Sequence, residues 1–360
     1  MIGRKLLRCI DLRLMQASPI KSIVPFGGIS IYLMGDFCQL LPVLDKQMFD
    51  SKPDGKELGD TGCQSFTAFK KAVILTTVER VRGDDDAQRQ FREMLLNIRN
   101  GTLTLKDYQL LMTRLKMTLP ETDVQLFHDA PNLVADHNAE YNINMDFLNR
   151  LGQPICLING VHSPQAASKG SSRDAMNLEP FVKLAQGAKV MLRSNIWVSA
   201  GLTNGSMGTV HGFLYGPENA GPPALPAAVC VQFPSYRGPV WDSNNPQVVP
   251  VAPITAKWTH NSRVYSRTQI PLSLAFATTI HKSQGWTKPR VTIDIGKKEF
   301  AMGLSFVAFS RSKSLSGILI NPKEHASAQW SRFLSINNGK AQINRRYIDD
   351  YMVKLSRSNN

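Results

Sequence analysis

The sequence predicts an α/β protein built on parallel sheets, with an all-β insert toward its C-terminal half. Two observations carry the α/β part. Short runs such as "ISIYLM" (29–34) and "VTIDI" (291–295) read as strands, the first, continuous and apolar between glycines, as one buried on both faces of a sheet. Between them lie segments with apolar residues at helical spacing, best seen at Phe91, Met94, Leu95 and Ile98. The third observation is a change of texture after Gly205: short strand-like runs alternate with loops such as "GPENAGPPALP" and "DSNNP", the pattern of a small all-β barrel.

Taken in order, residues 1–17 read as a helix with Leu6, Leu7, Ile10 and Leu14 on one face. Pro19 and Pro25 mark a connector, and "ISIYLM" reads as a parallel strand that delivers Gly35 and Asp36 to its carboxyl end, where ligands bind in open α/β sheets. Residues 46–65 read as a loop and "AVILTTV" (72–78) as a second β-branched strand. Asp84 to Asp86 supply N-cap candidates for a helix running to about Arg99, with Gly101 to end it. "AKVMLRSN" (188–195) reads as a strand. Beyond residue 270 the α/β texture returns, with "LSLAFATTI" and "LSFVAFSRS" expected as helices and "VTIDI" and "SGILI" as strands.

Composition narrows the function classes. The 360 residues are 42% hydrophobic and 19% charged, which is globular rather than disordered. No apolar run is long enough to span a bilayer, and the charge-broken opening "MIGRKLLRCIDLRL" does not read as a secretory signal. The cysteines (Cys9, Cys38, Cys63, Cys156 and Cys230) have no metal-binding spacing, so zinc is not expected and reduced thiols are. The net charge of +14 is spread along the chain. It suits either a polyanion held in a groove or a basic protein kept soluble by its charge.

Phosphoryl chemistry needs donors and positive charge aimed at a phosphate, and arginine's planar fork serves this best. Asp36 and Gln39 in "GDFCQLLPV", Arg80 after "AVILTTV" and Arg311 after "FVAFS" are candidates. Each alone reads more simply as a solvated surface residue. "TIHKSQGWT" (279–287) is denser: Thr279, His281, Lys282, Ser283 and Gln284 place five hydrogen-bonding side chains within six residues, before Gly285. Such a cluster grips a phosphodiester backbone, or is a polar helix end with a glycine cap. Trp241, Trp258 and Trp286 are candidates for base stacking or for the core.

In sequence order "GDFCQLLPV", "LTTVERV", "LLNIRNGTLT", "GAKVMLRSN", "GLTNGSMGTV", "TIHKSQGWT" and "FVAFSRSKSLSGILI" together resemble the PIF-type, RecD-like superfamily-1 DNA helicases, including the helicase part of Helitron-type transposons. The resemblance runs to about residue 322. It implies two RecA-like domains that close on ATP and Mg2+ and step 5′ to 3′ along single-stranded DNA. The implied roles belong to DNA repair, recombination and telomere maintenance. By the same resemblance Gln39 senses the γ-phosphate with Asp36 behind it, and Arg80 and Arg311 reach that phosphate from the second domain. Gln284 contacts the nucleotide, while Thr279, His281, Lys282 and Ser283 face the DNA strand. The implied domains are a remnant of the first RecA-like domain at 1–70, the second at 71–204 and 269–325, the β-barrel insert at 205–268 and a basic tail at 326–360. The expected location is the nucleus, or alternatively the mitochondrion.

The chain departs from the family pattern. Leu41 stands where a proline is usual, Val81 where a glutamine is, and Trp286 and Phe309 where leucines are. More severely, no GxxxxGK[ST] occurs. Gly55-Lys56, Gly296-Lys297 and Gly339-Lys340 are none of them followed by Ser or Thr, and no Asp-Glu pair ends an apolar run before Gly35. The determinants that hold the ATP phosphates and Mg2+ are therefore largely missing. The expectation is a piece of a longer helicase that begins at an internal methionine, is inactive as an ATPase by itself, and alternatively only binds single-stranded DNA.

Overall fold

The computed structural model describes residues 2–321, apart from 54, 76, 218–220, 297, 298 and 300, together with Met352. The expected basic tail at 326–360 lies outside the described residues, Met352 excepted. The chain forms two compact units, residues 1–135 with 279–360, and residues 136–278.

In the first unit the strands Asn132–Val134, Val291–Asp294 and Ile318–Ile320 run parallel, with Leu133 opposite Ile293 and Ile293 opposite Ile320. The strand ending at Thr279 completes the sheet order. Ile318, Leu319 and Ile320 are all buried, as a strand covered on both faces must be. The helix Asp86–Asn100 supplies that cover with Phe91, Met94, Leu95 and Ile98, the stripe read from spacing alone. Its ends are fixed locally. The Asp85 carboxylate accepts a hydrogen bond from the Gln88 N–H at 3.0 Å, and Gly101 leaves the helix at φ +67°, a left-handed conformation in which glycine is unstrained. The short helix Leu304–Phe309 adds Val307, Ala308 and Phe309 to the same core.

The N-terminal helix Arg4–Ala17 packs against the helix Glu57–Thr67 around Leu7, Phe26, Phe49 and Phe66. Gly62 makes this approach possible, since a Cβ there would lie 2.2 Å from the Arg4 carbonyl oxygen. The buried Asp11 accepts from the Phe26 N–H at 2.6 Å, from Ser65 Oγ at 2.5 Å and from Arg8 at 2.7 Å. Burial alone would raise its pKa; these bonds outweigh burial and hold the carboxyl below the usual range. Leu6 is half exposed and Asp11 buried, so the inward face is set by this polar cluster as well as by apolar spacing.

Four expected elements differ. Neither "ISIYLM" nor "AVILTTV" pairs as a strand over its described residues; Tyr32 and Met34 are 87% and 94% exposed, Val73 and Leu75 82% and 89%. An apolar run states a need for burial but cannot supply the neighbouring ladder a strand requires. "LSLAFATTI" is not a helix but two short strands, Leu272–Leu274 and Ala277–Thr279. The first pairs antiparallel with Lys189–Leu192, a tertiary pairing that overrides local pattern. The loop expected at 46–65 contains the helix Glu57–Thr67.

The second unit places its strands in separate sheets. Lys189–Leu192, Met207–Leu214, Ala228–Gln232 and Val248–Val251 form one antiparallel run with Leu272–Leu274 at its edge. Val190, Leu192, Val210, Val229, Val231 and Phe233 fill its core. Ile254–His260 and Arg263–Gln269 form a hairpin paired to Val161–Ser163. Residues 205–268 share sheets with strands from 156–204, within the compact unit 136–278. The helix His137–Arg150 is pinned to the strand Ala277–Thr279 by Asn144, which donates to the Ala277 carbonyl at 3.0 Å and accepts from its N–H at 2.9 Å. No disulfide joins the five cysteines, and among the described residues no helix is long and apolar enough to cross a membrane.

Candidate nucleotide and nucleic-acid site

The "GDFCQLLPV" turn is shaped by alternating burial. Cys38 and Leu40 are buried, Leu40 in the main core, which turns Gln39 the other way. The Asp36 carboxylate accepts from the Cys38 N–H at 3.0 Å and from Arg99 at 3.2 Å, tying the turn to the end of the helix Asp86–Asn100. The turn also lies against Gly303, where a Cβ would sit 2.7 Å from the carbonyl oxygens of Cys38 and Gln39 and where φ is +83°. Only glycine fits both the space and the backbone.

Gln39 meets the second motif directly: its Oε1 accepts from Gln284 Nε2 at 3.0 Å, across 245 residues of sequence. Arg80 reaches the same region. Its Nε donates to Thr287 Oγ1 at 2.9 Å and its Nη1 to the Ser310 carbonyl at 3.0 Å. Burial pushes its pKa below the ordinary value.

Arg311 is 1% exposed. It donates from Nε to the Val307 carbonyl at 2.8 Å, from Nη1 to the Ser283 and Trp286 carbonyls at 3.3 and 3.1 Å, and from Nη2 to Ser310 Oγ at 2.8 Å. Four of the guanidinium's five N–H donors are thereby used. Burial, with Arg80 as a second cause, lowers its pKa to about 10, which leaves it charged at neutral pH. The side chain fastens the "TIHKSQGWT" turn to the helix Leu304–Phe309.

Within that turn the candidates separate. Ser283 is fully buried and donates its hydroxyl to the Ile280 carbonyl at 2.8 Å, and Thr279 is also buried. His281 and Lys282 are half exposed. The turn is a 3-10 helix, Ile280–Ser283, followed by Gly285 at φ +89°. Trp286 packs against the core, with the Lys288 ammonium 5.1 Å from its ring centre.

A cleft of about 750 Å³ opens beside Arg80, lined by Glu79, Arg82, Gln88, Thr287, Lys313 and Ser314. Three cations face one carboxylate there, a bias that suits an anion. Arg82, Gln88, Thr287, Lys313 and Ser314 were not singled out from the sequence. The available signal was proximity, since Thr287 and Lys313 each follow a candidate residue by no more than three positions. Among the described residues no group of three or more His, Cys, Asp or Glu could hold a metal ion.

Comparison with known proteins agrees with this geometry. Residues 1–109 match the family model of the PIF1-like helicases. The chain is 29% identical over 298 residues to human ATP-dependent DNA helicase PIF1, covering 82% of this chain and 41% of that protein. It shares its fold with the Pif1 helicases solved as a pair for DNA unwinding at forked duplex DNA, at 24% identity and TM-score 0.69, over 98% of this chain and 73% of that one. It also shares its fold with Bacteroides Pif1 in complex with ADP-AlF3 and ssDNA, at 23% identity and TM-score 0.60, over 91% and 70%. The chain is related to the PIF1-like helicases, with their RecA-like fold. It spans 36–42% of the length of the first curated relatives it matches.

Proposed function

We propose that the chain is the γ-phosphate-sensing and strand-gripping part of an ATP-dependent DNA helicase that moves 5′ to 3′ on single-stranded DNA, working in the nucleus or the mitochondrion. The observation that carries this reading is the Gln39–Gln284 hydrogen bond. It joins the turn implied to sense phosphate to the turn implied to hold DNA, which is the connection a motor needs to couple the two. Gln39, Gln284 and Arg80 supply the phosphate donors, Arg311 braces the DNA-side turn and Arg80 with it, and His281 and Lys282 present the half-exposed contacts to the strand. Thr279 and Ser283 act from inside the turn, fixing its shape.

The residues present suit the terminal phosphate of a nucleotide, because donors and positive charge converge there and the carboxylate of the turn, Asp36, is engaged by Arg99 and the Cys38 N–H. They do not fit Mg2+: no carboxylate cluster stands among the described residues, and no step is assigned to the metal. A second reading, single-stranded DNA binding without turnover, is favoured for this chain by itself by the absent GxxxxGK[ST].

Both readings share one test. Anisotropy of a labelled oligothymidylate is expected to show binding that weakens steeply with salt and is unchanged by ATP. Lys282→Ala is expected to reduce the log–log salt slope by about 1. Salt-insensitive binding, or no binding, would contradict both.

A further inference from the structure

The hairpin Ile254–His260 and Arg263–Gln269 carries a column of planar groups along one face. In the antiparallel register Ala256 opposes Arg267, Trp258 opposes Tyr265 and His260 opposes Arg263, so these pairs share that face. At the root the Arg267 guanidinium lies 5.8 Å from the Trp258 ring centre. Trp258 stacks on Tyr265 at 5.8 Å with an interplanar angle of 18°, and Tyr265 meets His260 at 6.5 Å. The column passes from full burial at Arg267 to open solvent at His260 and Arg263.

The root is rigidly built. Arg267 donates to the carbonyls of Ala167, Ser168, Gly170 and Leu178, and Trp258 lies against Gly170, where a Cβ would come within 2.7 Å of its ring. A cross-strand aromatic pair alone is a common stabiliser of hairpins. Here the stacked pair is followed toward the tip by His260, edge-on to Tyr265 at an interplanar angle of 66°, with Arg263 opposite it, both exposed. The charge around it is also one-sided: no Asp or Glu occurs between Asp242 and Asp294. The nearby Asp174 and Glu179 are engaged by the hydroxyls of Ser171 and Ser172.

We propose that this hairpin tip is a second contact for single-stranded nucleic acid, separate from the turn at 279–287. An unpaired base extends the column over Tyr265 and His260, and Arg263 pairs with the adjoining phosphate. Stacking platforms of this kind combine an aromatic face for any base with a cation for the backbone. The proposal rests on the DNA-binding reading above and adds a site to it.

The test is anisotropy of the full chain with labelled oligothymidylate, beside a duplex of equal length. Tyr265→Ala is expected to weaken single-strand binding about tenfold, and Tyr265→Phe to keep it within about twofold, because the ring stacks and the hydroxyl does not. Arg263→Ala, at the exposed tip where folding is not at stake, is expected to weaken binding and lower the salt slope by about 1. A 5-iodouracil probe is expected to crosslink to Tyr265 or His260. Wild-type affinity in Arg263→Ala and Tyr265→Ala would overturn the proposal, as would equal losses in Tyr265→Phe and Tyr265→Ala or a preference for duplex. If Lys282→Ala weakens binding while the hairpin variants do not, only the hairpin site falls. If the wild-type chain binds no single strand, both readings fall together.

Discussion

Arg267→Met is expected to destabilise the 136–278 unit by about 3–5 kcal/mol. The guanidinium is fully buried and serves four carbonyl groups of the 167–178 stretch. A buried carbonyl left without its donor costs about 1–3 kcal/mol, and several are orphaned at once. Removing a desolvated cation offsets part of that loss. Burial already pushes the arginine's pKa down, with Glu179 opposing the shift. Arg267→Lys is expected to rescue little, because an ammonium cannot span carbonyls arranged around a planar fork. Urea unfolding followed by circular dichroism gives the magnitude. Hydrogen exchange adds the location: amides of residues 165–179 are expected to lose protection first. Stability unchanged within about 0.5 kcal/mol, the usual range for a neutral surface site, would show that the carbonyls find other partners.

Arg311→Met is the second large effect, expected at about 2–4 kcal/mol in the other unit. The Trp286 carbonyl loses the Arg311 donor, and those of Ser283 and Val307 each lose one of two, keeping the Trp286 N–H and Ser310 Oγ. The turn at 280–286 is then held to the helix Leu304–Phe309 by fewer bonds, so single-stranded DNA affinity is expected to fall with stability. Arg80→Ala provides the contrast. Arg80 is only partly buried and makes two bonds, so its loss is expected to cost about 1 kcal/mol. Thermal melting of the two variants side by side checks the ranking, and equal losses would contradict it.

Legibility in the sequence followed how local the cause was. The helix Asp86–Asn100 was readable because its cap, its stripe and its terminating glycine all lie within it. "VTIDI" and "SGILI" were readable as short strand-like runs, and they pair with each other, the first also with Asn132–Val134. "ISIYLM" and "AVILTTV" were misread because a strand is defined by a neighbour, and no pattern inside the segment reports whether that neighbour is present. The same limit applies to the site. Gln39 and Gln284 could be named from their motifs, but their hydrogen bond could not. Ser283 and Arg311 were expected at the ligand, yet their polar atoms are used on protein carbonyls. A residue type at a spacing states which bonds it can make, and the fold decides which it does make. Arg267 gave no signal at all, because its partners lie 89 to 100 residues away.

ATP turnover by the purified 360-residue chain, assayed with Mg2+ and with and without oligothymidylate, tests most directly the proposal that Gln39, Arg80 and Gln284 form one side of a helicase site and do not turn over ATP by themselves. Parts of a phosphate cradle contribute factors of about a thousand or more each, so the expected result is no turnover above the blank, alongside salt-dependent single-strand binding. DNA-stimulated turnover that disappears in Arg311→Ala would contradict this, and would mean that residues of this chain cradle the nucleotide without a GxxxxGK[ST] loop.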